Sequence, residues 1–265
     1  MEVIIQPTYE QLAAVAAEIV RDALLKKPDL VLGLATGSTP IGVYEALVQM
    51  HKTDGLDFSG VTTFNLDEYV GIPPNHPYSY HTFMETHLFS AVNIPAENRH
   101  IPQSTTVGHA EFCERYEAAI VEAGGIDIQV LGIGKDGHIG FNEPSSSLGS
   151  RTRIKTLTQS TLEANAPHFG STVDAVPKMA ITMGVGTIME AKQCLLLASG
   201  ESKAVAIANA VEGPITAEVP ASVLQMHPRT VVIIDAAAAS QLKRVDYYKQ
   251  VYQNKLKLLS QDIEI

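Results

Sequence analysis

Tryptophan is absent from the 265 residues, and only two cysteines occur, Cys113 and Cys194. The two thiols lie far apart and in no spacing typical of metal ligands, which argues against a disulfide-rich scaffold and a cysteine zinc site. Long apolar runs are also missing, and the first residues, MEVIIQP, lack the basic segment and apolar core of a secretion signal. We therefore expect a reduced, cytoplasmic protein that has no membrane partner.

Positive charge is scarce as well: the chain has 19 Lys and Arg residues but 29 Asp and Glu residues, and its formal net charge is -10. A nucleic-acid partner would require a basic face, so this balance argues against one. Hydrophobic residues make up 45% of the chain and charged residues 18%. This composition is typical of a globular protein with a sizeable core, and it leaves room for a local basic pocket.

Short apolar segments alternate with amphipathic ones along the whole chain. Strands are predicted at 30–34, 61–65, 127–133, 193–198 and 230–235. Helices are predicted at 12–24, after the capping pair Thr8 and Gln11, at 40–51, 80–89, 110–122 and 202–211, and around Leu242, Val245, Tyr248 and Tyr252. This alternation predicts one α/β domain over 1–265, a doubly wound, mostly parallel sheet with helices on both faces (Rossmann-like). Ligands of such sheets bind beyond the carboxyl ends of the strands.

Residues 35–40, ATGSTP, connect the strand predicted at 30–34 to the next helix. Backbone N–H groups at such a turn can converge on an anion, and the helix dipole favours negative charge there. The alternative is an ordinary turn in which Thr39 caps the helix and Pro40 is its first residue. Both interpretations stay open on this motif alone, although the GxxxxGK[ST] signature of a nucleotide P-loop is absent. The candidate phosphate contacts are Thr36, Gly37, Ser38 and Thr39.

Residues 64–71, FNLDEYVG, place two adjacent carboxylates, Asp67 and Glu68, at the end of a predicted strand. A carboxylate in a partly dry cleft at that position suits a general base. The alternative is an acidic start of a loop without a catalytic role, which is the commoner origin of an isolated Asp-Glu pair.

The stretch 132–144, GIGKDGHIGFNEP, contains four glycines, which let the backbone bend sharply and approach a ligand closely. Asp136, His138 and Glu143 lie within eight residues of one another. A carboxylate beside an imidazole fixes its tautomer and tunes its basicity, as a proton shuttle requires. Metal binding is the rival interpretation, but the spacing matches no familiar zinc pattern. We expect neither a metal nor an organic cofactor.

Two further features are less specific. Lys203 lies at the start of a predicted helix after a buried strand. There it is placed to neutralise a phosphate, although a solvated surface lysine is the default interpretation. His76, His81 and His87 are irregularly spaced among Pro, Tyr and Ser residues, which favours a mobile segment over the site rather than a metal cluster.

Together these motifs resemble the glucosamine-6-phosphate deaminase family. The resemblance rests on 34–40, 64–71, 134–144 and 150–156, occurs in the same order and covers nearly the whole chain. The stretch DGHIGFNEP is highly specific to that family. The resemblance implies a Rossmann-like fold shared with sugar-phosphate isomerases and phosphogluconolactonases. It also implies an enzyme that converts glucosamine-6-phosphate to fructose-6-phosphate and ammonia.

The resemblance further implies roles for individual residues. Asp67 would take the proton from C2 of the opened sugar, and His138 would move a proton to or from the ring oxygen. Asp136 and Glu143 would orient and charge that histidine. The phosphate would be held by Lys203 and by the turn at 37–39.

The chain departs from the family at Pro167, where an arginine that helps to hold the phosphate is expected; His168 stands beside it. A bidentate guanidinium contact is therefore missing at this position. Three residues resemble positions that bind an amino-sugar phosphate effector between subunits in some hexameric members: Ser146, Arg153 and Lys155. They leave both an effector response and assembly into a homo-oligomer open.

Other functions on the same fold are a galactosamine-6-phosphate isomerase, a lactonase and a non-catalytic sugar-phosphate sensor. Asp67 and the set Asp136, His138 and Glu143 favour aldose-ketose chemistry over lactone hydrolysis. A sensor would be expected to carry an amino-terminal DNA-binding segment and to be free to lose these acids, whereas this sequence starts with the domain itself and keeps them.

Overall fold

A computed structural model describes residues 1–103, 108–170 and 172–261, without the side chains at 160, 164 and 168. The strands are β1 (Glu2–Gln6), β2 (Val31–Leu34), β3 (Thr62–Asn65), β4 (Asp67–Tyr69), β5 (Arg99–His100), β6 (Ile128–Leu131), β7 (Arg153–Thr156), β8 (Met179–Thr182), β9 (Cys194–Ala198) and β10 (Thr230–Asp235). The α-helices are α1 (Tyr9–Lys26), α2 (Ile41–Asp54), α3 (Tyr80–His87), α4 (His109–Glu122), α5 (Gln159–Asn165), α6 (Val185–Met189), α7 (Ala204–Glu212) and α8 (Val245–Leu259). Among the described residues, no helix combines the length and hydropathy needed to cross a bilayer.

Seven strands form one parallel sheet in the order β1-β10-β9-β6-β2-β3-β5. The chain starts the central part of the sheet at β2, builds outward through β3 and β5, and then returns to the other side of β2 with β6. The strand order therefore reverses between β2 and β6, and such a switch point opens a crevice at the carboxyl ends of the two strands. This confirms the doubly wound prediction.

The apolar runs of the sequence form the centre of this large sheet. Every residue of β2, β6 and β9 is buried, because helices cover both faces of a parallel sheet. In α1, Leu12, Ala16, Val20 and Leu24 are buried, and the Thr8 hydroxyl accepts the Gln11 N–H at 3.4 Å, as the capping pattern predicts. The edge strands β1 and β5 were not predicted; β5 has only two residues.

A second, antiparallel sheet in the order β4-β8-β7 was not predicted either. It begins directly after β3, since only Leu66 separates β3 from β4, and the Met183 N–H donates to the Leu66 carbonyl at 2.7 Å. This sheet has its own apolar cluster. In it, the ring centroid of Tyr69 lies 5.6 Å from that of Phe141 and 5.4 Å from that of Phe169. We refer to the two sheets as the large sheet and the small sheet.

Some predicted boundaries are wrong by a few residues. Leu242 precedes α8, because the helix begins at Val245. Pro40 is the cap position of α2, and the helix itself begins at Ile41, so Thr39 is not its N-cap. A 3₁₀ turn over Glu201–Lys203 precedes α7, which places Lys203 just before the helix.

Candidate active site

A cleft with a volume of about 640 Å³ opens at the switch point between β2 and β6. Loops that follow strands of the large sheet form most of its wall, and the start of the small sheet and α5 close the other side. Eight of the site residues predicted from the sequence line this cleft: Thr36, Gly37, Ser38, Thr39, Asp67, Asp136, His138 and Lys203. The structure therefore brings the predicted base Asp67, the pair of His138 and Asp136, and the predicted phosphate contacts into one cavity.

The turn at 36–39 is held in place by Tyr9. The Tyr9 hydroxyl contacts the Ser38 and Thr39 carbonyls at 3.2 and 3.0 Å and accepts the Gly42 N–H at 2.8 Å. Gly37 has φ +98°, a conformation that favours glycine. No side chain caps the first turn of α2, so its dipole acts on the cleft without a competing carboxylate. These features suit an anion-binding turn.

Asp67 and Glu68 are adjacent in sequence but have different environments. Glu68 accepts backbone N–H groups from Tyr69, Tyr80 and His81 at 2.9, 3.1 and 3.0 Å, so its carboxylate holds the start of α3 in place. Asp67 lines the cleft and, within the described chain, receives no hydrogen bond. One carboxylate is thus structural, and the other is left available for chemistry.

Burial controls the protonation of Asp67, which is only 6% exposed. Loss of hydration raises the pKa of this carboxyl to about 8, and the neighbouring charge of Glu68 contributes in the same direction. A carboxylate with such a pKa is a far stronger base than an ordinary aspartate, and it titrates near neutral pH.

His138 is paired with Asp136 at the tip of the loop after β6. The His138 Nδ1 lies 2.6 Å from an Asp136 carboxylate oxygen, and the same oxygen accepts the His138 backbone N–H at 3.2 Å. The hydrogen bond with His138 lowers the pKa of Asp136, which therefore stays ionised. The imidazole packs over Gly134, where an added Cβ would lie 2.2 Å from the ring. Because Nδ1 faces the Asp136 carboxylate, Nε2 is the nitrogen left for a substrate.

Glu143 does not join this pair among the described contacts. Its buried carboxylate accepts the Thr158 N–H at 3.1 Å, the Thr158 hydroxyl at 2.9 Å and a short hydrogen bond from the Thr161 hydroxyl. Glu143 therefore connects the glycine-rich loop to the start of α5. The structure brings Asp136 to His138, and it places Glu143 with the threonines of α5.

Lys203 reaches the cleft from the loop after β9. Its ammonium donates to the Ile133 carbonyl at 2.7 Å, and burial is the main cause that lowers its pKa. The loop is fixed by Asp235, whose carboxylate accepts the Ser199 hydroxyl at 2.5 Å and the Gly200 N–H at 3.0 Å. A lysine held on so rigid a loop suits a fixed anion site better than a solvated surface role.

Sequence reasoning did not identify several residues of the cleft wall. Lys135 is a second lysine of the cleft, and its position in the glycine-rich loop could have identified it from the sequence. Tyr80 comes from the first turn of α3, and α5 contributes three more polar residues: Thr161, Glu163 and Asn165. The three residues of α5 come from a helix that no apolar periodicity predicts.

The suggested effector residues lie outside the cleft. Arg153 and Lys155 occupy alternate positions on β7 and so share a face of that strand. Arg153 donates to the Asn142 side chain at 2.9 Å and to the Arg151 carbonyl at 3.2 Å. The Ser146 hydroxyl is buried and finds no partner among the described residues. No described hydrogen bond joins Ser146 to Arg153 or Lys155.

Pro167 lies in a 3₁₀ turn over Ala166–Phe169, directly after α5. The side chain of His168, which the sequence offered as a substitute cation, lies outside the described residues. Within the irregularly spaced set of His76, His81 and His87, His76 stacks on Phe169 with ring centroids 5.7 Å apart. In the part of the chain that the structure describes, no group of three or more His, Cys, Asp or Glu residues is arranged to hold a metal.

Comparisons with known proteins agree with this geometry. Residues 6–233 match the family described as glucosamine-6-phosphate isomerases/6-phosphogluconolactonase. Glucosamine-6-phosphate deaminase from Thermoanaerobacter pseudethanolicus is 51% identical over 246 residues, which cover 93% of this chain and 97% of that protein. Glucosamine-6-phosphate deaminase 2 from Bacillus subtilis is 50% identical over 248 residues, which cover 93% of this chain and 100% of that protein.

Solved structures share the fold. A monomeric glucosamine-6-phosphate deaminase, described as a missing link of the NagB superfamily, is similar at a TM-score of 0.89 and 46% identity, covering 91% of this chain and 100% of that one. 6-Phosphogluconolactonase from Trypanosoma brucei has a TM-score of 0.73 at 18% identity, covering 91% and 98%, which shows a common fold alone. The chain belongs to the family of glucosamine-6-phosphate isomerases and 6-phosphogluconolactonases.

Proposed function

We propose that the protein isomerises and deaminates glucosamine-6-phosphate, giving fructose-6-phosphate and ammonia in amino-sugar breakdown. The observation that carries this proposal is Asp67, a buried carboxylate without a hydrogen-bond partner in the described chain, which shares one cleft with the His138–Asp136 pair. Lactone hydrolysis does not require a carbon base, whereas proton abstraction beside a carbonyl does. The names of the relatives at about half identity support the same substrate.

The first step is opening of the sugar ring. His138 moves a proton from the C1 hydroxyl to the ring oxygen, which breaks the C1–O5 bond and leaves an aldehyde at C1. Asp136 holds the imidazole in one orientation and stabilises its protonated form during this transfer. The pair therefore acts as a proton shuttle without a net change in charge.

The second step moves a proton from C2 to C1. Asp67 takes the C2 proton, and the electron pair forms a C1–C2 double bond while the aldehyde oxygen gains a proton. Return of a proton to C1 then gives a C2 imine. Addition of water at C2 and loss of ammonia complete the conversion to a ketone, so one water is consumed for each ammonia released.

The phosphate end of the substrate is held by the turn at 36–39 and by Lys203. A phosphate monoester carries a charge of about -1.5 to -2 at pH 7. Backbone N–H groups at the start of α2 and the lysine ammonium supply complementary charge on two sides of the cleft. This interaction fixes the sugar so that its reacting carbons lie toward Asp67 and His138.

The direct test is a pair of coupled assays that measure fructose-6-phosphate and ammonia from the same sample of glucosamine-6-phosphate. Equal amounts of both products support the proposal. Galactosamine-6-phosphate and 6-phosphogluconolactone serve as competing substrates, and faster turnover of either would replace the proposal with that activity. Whether the protein forms a homo-oligomer stays a prediction, since the similar solved deaminase is described as monomeric.

A further inference from the structure

Lys135 lies at the tip of the glycine-rich loop and contributes to the wall of the cleft. Its side chain is exposed, and no described residue forms an ion pair or hydrogen bond with it. The nearest acidic residue in sequence, Asp136, is committed to His138. The positive charge of Lys135 is therefore available to a ligand.

The backbone that carries Lys135 is held firmly. The Gly134 N–H donates to the His138 carbonyl at 2.9 Å, and the Gly137 N–H donates to the Gly134 carbonyl at 3.1 Å. From the other side, the Ala221 N–H donates to the Gly137 carbonyl at 2.9 Å. These contacts close a tight turn, so that only the side chain of Lys135 has to be ordered when a ligand binds.

Lys203 lies at the base of the same turn. Its ammonium donates to the Ile133 carbonyl, two residues before Lys135. Lys135 and Lys203 line the same cleft, and repulsion from Lys135 adds to burial in lowering the pKa of Lys203. Two like charges near each other destabilise an empty site and favour a bound dianion.

The rest of the cleft lacks permanent cations. Among the described lining residues, Lys135 and Lys203 are the only lysines or arginines. The opposite wall, from α5, contributes Thr161, Glu163 and Asn165, none of which is positively charged. Apart from the backbone N–H groups at the start of α2, the positive charge available to a dianionic group therefore comes from the two lysines.

We propose that Lys135 and Lys203 hold the substrate phosphate between them, and that Lys135 makes the site selective for a dianionic phosphate. This inference rests on the proposed function for the identity of the substrate. Lys203 supplies the fixed contact at the base of the turn, and Lys135 closes over the phosphate from its tip. Because Lys135 is exposed, its contribution is smaller than that of the partly buried Lys203.

The test uses inorganic phosphate as the probe, titrated calorimetrically into the intact protein at fixed ionic strength. Lys135→Gln should weaken phosphate binding about three- to tenfold, with a similar rise in KM for glucosamine-6-phosphate and little change in kcat. Lys135→Arg, which keeps the charge, should bind phosphate nearly as well as the wild type. Lys249→Gln, a change at an exposed lysine of α8, is the matched control and should have no effect.

Unchanged phosphate binding and unchanged KM in Lys135→Gln would overturn the inference. A fall in kcat with unchanged phosphate binding would also overturn it, because Lys135 would then act on the His138 loop instead. The phosphate titration does not depend on turnover. If phosphate binding requires Lys135 but the wild type releases no ammonia from glucosamine-6-phosphate, the proposed function fails and the lysine pair stands.

Discussion

The large and the small sheet contribute different functional residues to the same cleft. The central strands β2, β6 and β9 of the parallel large sheet are fully buried, and the loops after them carry the candidate phosphate contacts and the His138–Asp136 pair. The small sheet has three short antiparallel strands, and β7 has no fully buried residue. Yet this sheet provides Asp67, the first residue of β4.

This division separates binding from proton abstraction. Groups on rigid loops of the large sheet can hold a phosphate at a constant position. Asp67 is placed where the two sheets meet, and burial there raises its pKa to about 8. Changes at the phosphate contacts of the large sheet should therefore act mainly on KM, and a change at Asp67 should act mainly on kcat.

The largest effect should come from Asp67→Asn. Loss of a general base costs on the order of 10²–10⁴ in rate, so kcat should fall by that factor while the fold and KM change little. Steady-state kinetics and circular dichroism measure the two parts of the prediction. A variant with nearly normal kcat would show that the C2 proton goes elsewhere.

Lys203→Ala should act on binding. A charge-assisted contact to phosphate contributes roughly 1.5–3 kcal/mol, so KM should rise about ten- to a hundredfold, with a smaller fall in kcat. The converse change, Pro167→Arg, adds a guanidinium beside α5 and should lower KM if it reaches the phosphate. If Lys203→Ala leaves KM unaltered at every pH tested, the phosphate is bound outside this cleft.

His138→Gln should distinguish ring opening from the later proton transfer. The variant should lose at least about tenfold more activity on glucosamine-6-phosphate than on a 5-deoxy analogue, which cannot form the six-membered ring. Asp136→Asn, which weakens the orientation of the same imidazole, should shift the ratio in the same direction by less. Equal losses on both substrates would remove His138 from ring opening.

The two regions also differ in how far the sequence predicts them. The large sheet follows from apolar runs and helical periodicity, because burial on both faces leaves a strong pattern in β2, β6, β9 and β10. The strands of the small sheet are short, and β7 reads Arg-Ile-Lys-Thr, in which charged residues alternate with others. No local pattern shows that such segments pair with one another, since their pairing depends on contacts distant in sequence.

The same distinction holds within the candidate site. The Asp136–His138 contact is local, and the sequence predicts it from two residues of spacing. Glu143 is only five residues from His138, but its partners are Thr158 and Thr161, brought in by α5. The different environments of Asp67 and Glu68 likewise depend on where the start of α3 lies, which neighbouring residues do not encode.

The smallest effect, and the one that tests the environment of Asp67 most directly, is on stability. The folded-state pKa of Asp67, about 8, lies above its ordinary value of 3.8, so the folded protein binds more protons than the unfolded chain between these pH values. Ionisation of Asp67 therefore costs stability as pH rises through this window. Asparagine imitates the neutral form, so Asp67→Asn should resemble the wild type near pH 4 and be more stable at pH 8.5.

We expect a gain in the free energy of unfolding on the order of 1–2 kcal/mol, below the full linkage value because water entry and relaxation reduce the cost of the charge. Urea unfolding at both pH values measures it, with the exposed Asp29→Asn as the control that should show no such trend. A gain that is absent, or equal at both pH values, would mean that Asp67 ionises as an ordinary aspartate, and its strength as a base would then need another cause.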